Sequence, residues 1–156
     1  MARSGHVDWA IVEAYLAHPF FRTRGPRSLD RFDFSLKPVA GLSIVDGAAT
    51  LTAFAAQTVK LGIQGLTITP LEVIVCGGGR RNPALMAAIG RQLTVPLRTA
   101  EAVGWRGDSI EAEAFAFLAA RTALDLPISF PGTTGAPTPL RGGQILNQPK
   151  LAANSA

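Results

Sequence analysis

VIVCGGGRRNPALM, residues 73–86, decides how the rest of the chain is read. Three β-branched residues lead into Cys76, then three consecutive glycines, two arginines and an Asn-Pro pair that opens a new apolar pattern. LEVIVC, 71–76, is a short apolar run bounded by Pro70 and the glycines. That is the signature of a buried strand. Asn82-Pro83 predicts a helix start, with asparagine as cap and proline at the first helical position. Leu85, Ile89 and Leu93 carry that helix onward. Cys76 is expected as apolar filler of the strand, since nothing beside it marks a nucleophile.

Working outward, TVPLRT at 94–99 is a second short strand. A helix follows over about 108–124, with Asp108 opening it, Glu111 in capping-box spacing, and Ile110, Ala114, Phe117 and Leu124 along one stripe. On the N-terminal side, residues 7–18 predict one helix and residues 46–61 another, the latter with Asp46 as cap. Beyond Pro127 the chain turns rich in Gly, Pro and Thr, and LAANSA reads as a frayed tail. The order β-α-β-α after two helices predicts an α/β layer with a right-handed crossover. The sheet is small for a complete doubly wound domain.

With 156 residues, 47% of them apolar and few charged, the chain can bury a core and is not disordered over its length. Asp8, Glu13 and His18 interrupt the start where a signal peptide needs an apolar run. No apolar stretch reaches the length of a membrane span. A single cysteine permits no internal disulfide and fits a reducing compartment. The net charge of +4 has arginines grouped at 22, 24, 27 and 31 and at 80 and 81. No aromatic platform, basic helix or zinc spacing accompanies them, so a nucleic-acid partner rests on charge alone. His6 and His18 have no third ligand at metal spacing and are expected as surface or packing residues.

Gly77, Gly78 and Gly79 admit two readings. One is a strand-to-helix turn that needs positive φ. The other is a backbone that something flat approaches, beside a helix N-terminus with free amides. Neither GxxxxGK[ST] nor GxGxxG is present, so this is neither a P-loop nor a dinucleotide fingerprint.

CGGGRRNPALM together with TAEAVGWRGDSIEAEAFAFLAARTALDLPISFPGTTG closely resembles the C-terminal part of the anhydro-N-acetylmuramic acid kinase family. PRSLDRFDF resembles that family's Pro-Lys-Ser loop, with Arg27 where lysine is usual, and DGAATLTAFAAQTV resembles the helix before its Gly-rich strand. The resemblance runs from about Val7 to about Gly143. It implies a ribonuclease H-like, actin-like ATPase C-terminal lobe: a small mixed sheet with flanking helices over 1–145, and a tail at 146–156. It implies phosphorylation of O6 of 1,6-anhydro-N-acetylmuramate by ATP and Mg²⁺, with hydrolytic opening of the anhydro ring. The product, N-acetylmuramate 6-phosphate, belongs to peptidoglycan recycling. Family members are cytoplasmic homodimers. By the resemblance, Gly77, Gly78, Gly79 and Asn82 sit at the adenosine side of ATP.

No stretch here resembles the family's Gly-Thr-Ser-Met-Asp-Gly phosphate loop or the Asp-Thr-Gly-Pro-Gly-Asn segment with its catalytic aspartate. The expectation is therefore a C-terminal fragment, inactive by itself. A non-catalytic nucleotide- or partner-binding module derived from such a kinase is the alternative, and a basic RNA-associated domain a third. Glu111 is either the reciprocal cap of Asp108 or an active-site carboxylate that contacts sugar or positions water; GDxxEA resembles the family's active-site helix. Glu113 is expected to be solvated, Trp105 to pack, and Asp30 to pair with Arg31.

Overall fold

The apolar run does form a strand. In the computed structural model of the chain, which describes residues 1–23 and 28–146 and only the backbone of Arg31, the sheet has two parallel strands. β1 (Val73–Val75) pairs with β2 (Leu97–Thr99) in the register Val73–Leu97, Ile74–Arg98 and Val75–Thr99. The helices among the described residues are α1 (Trp9–Leu16), α2 (Ile44–Gln64), α3 (Pro83–Gln92), α4 (Ile110–Ala123) and α5 (Pro131–Thr134). β1-α3-β2 is the expected crossover unit. Its strands are shorter than the runs that predicted them, and β1 is half-buried rather than buried, because each strand has only one neighbour. The sheet is parallel throughout; the antiparallel pairing among the described residues is an isolated bridge, Ser129 to Leu140.

The chain divides into two compact units, Met1–Glu111 and Ala112 onward. In the first, Ala56 of α2 meets Ala88 and Ile89 of α3 in a core that Val59, Leu85, Leu93 and Leu97 complete. Alanine at the contact lets the two helices approach closely. A second cluster is aromatic: the rings of Tyr15 of α1 and Phe54 of α2 lie 4.9 Å apart and tilted, with Phe34 and Phe21 against Phe54 at 5.0 and 6.1 Å. The Tyr15 hydroxyl donates to the Ser35 carbonyl at 2.7 Å. His18 packs against Phe34, and its Nδ1 accepts from the Phe20 amide, while His6 is fully exposed.

Local chemistry sets the helix starts. Asn82 caps α3 as expected, its Oδ1 accepting from the amides of Ala84 and Leu85. The expected cap of α2 is displaced. Ser43 is the cap and Asp46 the third helical residue, because a carboxylate there receives both the Ser43 hydroxyl and the amide of His6. α1 starts at its cap Asp8, whose amide donates to the fully buried Thr50 hydroxyl at 3.0 Å. Asp30 caps a short 3₁₀ turn by accepting from Phe32, in a capping box with Asp33. The Arg31 side chain, the loop residues Pro26 and Arg27, and LAANSA lie outside what is described.

Thr50→Val keeps the shape but leaves the Asp8 amide without its acceptor. The expected loss is about 1–3 kcal/mol in denaturant unfolding. An unchanged midpoint would show that the amide finds another partner.

In the second unit, Arg121 donates through Nε to the Pro127 carbonyl, and its guanidinium lies 5.5 Å from the ring centres of Phe117 and Phe130. Thr122 bridges the Leu118 and Gly142 carbonyls. The helical period predicted for 108–124 is present, but the stripe it implied is not buried: Phe117 and Leu124 are 61% and 70% exposed. Periodicity identifies a helix face without supplying what covers it.

Candidate functional site

The three glycines have three different roles. Gly77 sits at φ 70° and ψ −179°, a backbone region that is essentially glycine-only. Gly78 has ordinary φ and nothing within 4 Å of where a side chain would begin. Gly79 lies beside Leu85, whose Cδ2 would be 3.4 Å from an added Cβ. The turn therefore combines a fixed kink, an open floor and a packed flank. Cys76, expected inside the strand, is exposed, because β1 ends at Val75.

The residues behind the turn were not foreseen. Arg80 follows the glycines in a 3₁₀ turn (Gly78–Arg81), and its side chain is only 4% exposed. Nη1 donates to the Gly77 carbonyl at 2.7 Å and to Asp108 Oδ1 at 2.8 Å. Nε and Nη2 donate to Glu101 Oε1 at 2.8 and 2.6 Å. Arg81 takes the other oxygen of Asp108. The Gly77 amide donates to the Gly107 carbonyl at 3.1 Å. Gly107 itself leaves room for this network: a Cβ there would lie 2.7 Å from Glu101 Oε1 and 2.8 Å from Arg80 Cζ.

Asp108 thus departs from its expected role. It gives both oxygens to arginines two positions before α4 instead of capping the helix, because two guanidiniums offer a carboxylate stronger partners than neutral amides. Glu111 is the second residue of α4 and is exposed. Glu113 is exposed as expected. Trp105, expected to pack, is 55% exposed on the turn between Gly104 and Gly107. The amides at the start of α3 are not free either, since Pro83 has none and Asn82 occupies the next two.

These charges have a pH signature. The Arg80 hydrogen bonds hold Glu101 far below its ordinary 4.5, at about 2, and lower Asp108 as well. A depressed carboxyl stabilises the fold fully above its unfolded pKa and loses that contribution as pH falls through its folded one. Comparison of the chain with Glu101→Gln should give a melting difference that is constant down to about pH 5 and shrinks below it. A pH-independent difference would show that Glu101 acts without its charge.

A family model described as anhydro-N-acetylmuramic acid kinase matches residues 1–148. The chain belongs to that family. Kinases of this name from Caulobacter vibrioides and Phenylobacterium zucineum are 56% and 54% identical to it, over 94% and 93% of this chain. One from Rhodospirillum rubrum is 55% identical over 92%. The chain spans about two-fifths of the length of these relatives: 39%, 39% and 38%. The turn described above therefore lies in an anhydro-N-acetylmuramic acid kinase sequence.

Mg²⁺ would need a set of oxygen ligands among the described residues. No three His, Cys, Asp or Glu side chains converge among them. Glu101 and Asp108, the carboxylates closest to the glycine turn, are already bound by Arg80 and Arg81. This donor set does not fit Mg²⁺. Among the described residues no helix is long and apolar enough to cross a membrane.

Proposed function

We propose that this chain forms the adenosine side of an ATP site in a kinase acting on 1,6-anhydro-N-acetylmuramate. The reaction would phosphorylate O6 and open the anhydro ring with water, giving N-acetylmuramate 6-phosphate. The observation that carries the reading is the open floor over Gly78, held in place by the Gly77 kink. A flat base needs a backbone surface without side chains, and Gly77, Gly78 and Gly79 provide one. Asn82 fixes the start of the adjoining helix by taking its amides, so that terminus offers little to phosphates and the base end of a nucleotide fits it better.

ATP, when bound, supplies the transferred phosphoryl group. Glu111, exposed at the start of α4, is proposed to accept a hydrogen bond from the sugar or the attacking water. No step is assigned to Mg²⁺. The fold proposed for residues 1–145 is the ribonuclease H-like C-terminal lobe, with 146–156 as its tail, in a cytoplasmic homodimer. A second reading, a non-catalytic partner-binding module, draws on the exposed Phe115 and Phe117 of α4. The purified 156-residue chain should bind ATP but show no turnover with ATP, magnesium and the anhydrosugar. Turnover would contradict the expectation that phosphoryl transfer needs parts this chain does not provide. Absence of ATP binding would contradict the adenosine reading.

A further inference from the structure

Arg80 meets four acceptor atoms. One guanidinium binds the carbonyl of Gly77, both oxygens of Glu101 and one oxygen of Asp108, in a space too tight for a Cβ on Gly107. Gly77 lies on the turn that holds the glycine floor, and Asp108 on the turn that runs from Gly104 to α4, three residues before Glu111, while Glu101 belongs to the 3₁₀ turn Ala100–Val103 between β2 and Gly104. The Gly77–Gly107 backbone bond and the Arg81–Asp108 pair join the first two of these turns. A shift of the floor therefore cannot leave the start of α4 unaffected unless these bonds break.

We infer that Arg80 is a positioning residue that couples occupancy of the Gly77–Gly79 turn to the placement of Glu111, with Asp108 as the link. The inference rests on the adenosine reading. It makes nucleotide and sugar sites interdependent: a base resting on the floor fixes the Gly77 carbonyl, Arg80 stays seated on Asp108, and α4 starts where Glu111 meets the sugar. Glu101 and Asp108 are the acidic groups on Arg80, and Arg81 is the second cation on Asp108.

Trp105 offers a probe, since it is exposed and lies between Glu101 and Asp108 on the linking turn, its amide held by the Ala100 carbonyl. The test titrates ATP into the full 156-residue chain carrying Trp9→Phe, which removes the other indole, and follows Trp105 emission and ATP affinity separately. The parent should bind ATP and show a Trp105 change. Arg80→Lys keeps the charge but has one nitrogen for four acceptors. It should weaken ATP by about tenfold, the cost of losing a charged hydrogen bond, and abolish the Trp105 change. Asp108→Asn leaves Arg80 on Gly77 and Glu101, so affinity should stay within about twofold while the Trp105 change is lost. This split distinguishes coupling from a general loosening of the fold, which would lower both. Parental affinity in Arg80→Lys, or a retained Trp105 change in Asp108→Asn, overturns the coupling and spares the adenosine reading. A parent that does not bind ATP overturns both. Should Arg80→Lys fail to fold, Asp108→Asn, altered at a half-exposed side chain, decides alone.

Discussion

Gly107→Ala is expected to abolish ATP binding and to lower the melting temperature markedly. The added Cβ would meet Arg80 Cζ at 2.8 Å, on a side chain only 4% exposed, and Glu101 Oε1 at 2.7 Å, an oxygen that Arg80 already holds. Arg80 is held by Gly77 and Asp108 as well, so it has nowhere to retreat. Forcing an atom into a filled site costs about 1–3 kcal/mol. In a chain of this size that corresponds to roughly 2–4 °C per kcal/mol. Binding should suffer more than stability, because the turn can relax only by moving the floor that Arg80 holds. Circular-dichroism melting and an ATP titration on the same protein check this. Parental values for both would mean that the network tolerates displacement and does not hold the turn.

Gly77→Ala should have the second large effect, for a different reason. Nothing lies within 4 Å of the new methyl, so there is no collision. The cost is in the backbone, since φ 70° with ψ −179° is strained for any residue with a Cβ. The expected destabilisation is about 1–3 kcal/mol. The Gly77 amide and carbonyl bonds to Gly107 and Arg80 should loosen together, visible as faster hydrogen exchange at Gly77. Gly78→Ala provides the internal control, with ordinary φ and open space, and should change stability by no more than about 0.5 kcal/mol. Equal stability of all three proteins would remove conformation as the reason for the first glycine.

Much of the fold was legible because its signals are local. Asn82-Pro83 announces α3 through capping that needs only four consecutive residues, and both capping hydrogen bonds are present. The runs at 73–75 and 97–99 are strands because β-branched and apolar residues gather between turn signals. Errors arose where a distant partner decides. Asp46 looked like a cap, but the amide of His6, forty residues earlier, and Ser43 take its oxygens. Trp105 looked like a packing residue by the average habit of indole, yet it sits on a turn shaped by Gly104 at φ 77°.

The candidate site was legible only at its surface. The glycine run is visible in the sequence, while nothing local marks the arginine behind it. Its carboxylates are 21 and 28 residues away, beyond any local pattern. Gly107 stands between Arg106 and Asp108, and only its place in the fold, with ordinary φ and no room for a Cβ, shows that it serves close approach rather than a turn.

The central claim is that the open floor at Gly78 receives the base of ATP. Gly78→Leu tests it most directly, since the side chain would start into that space, its Cβ meeting nothing within 4 Å. ATP affinity, measured by titration beside the parent with melting as the control, should fall by at least about tenfold while the melting temperature stays put. Parental ATP affinity in a folded Gly78→Leu protein would contradict the account.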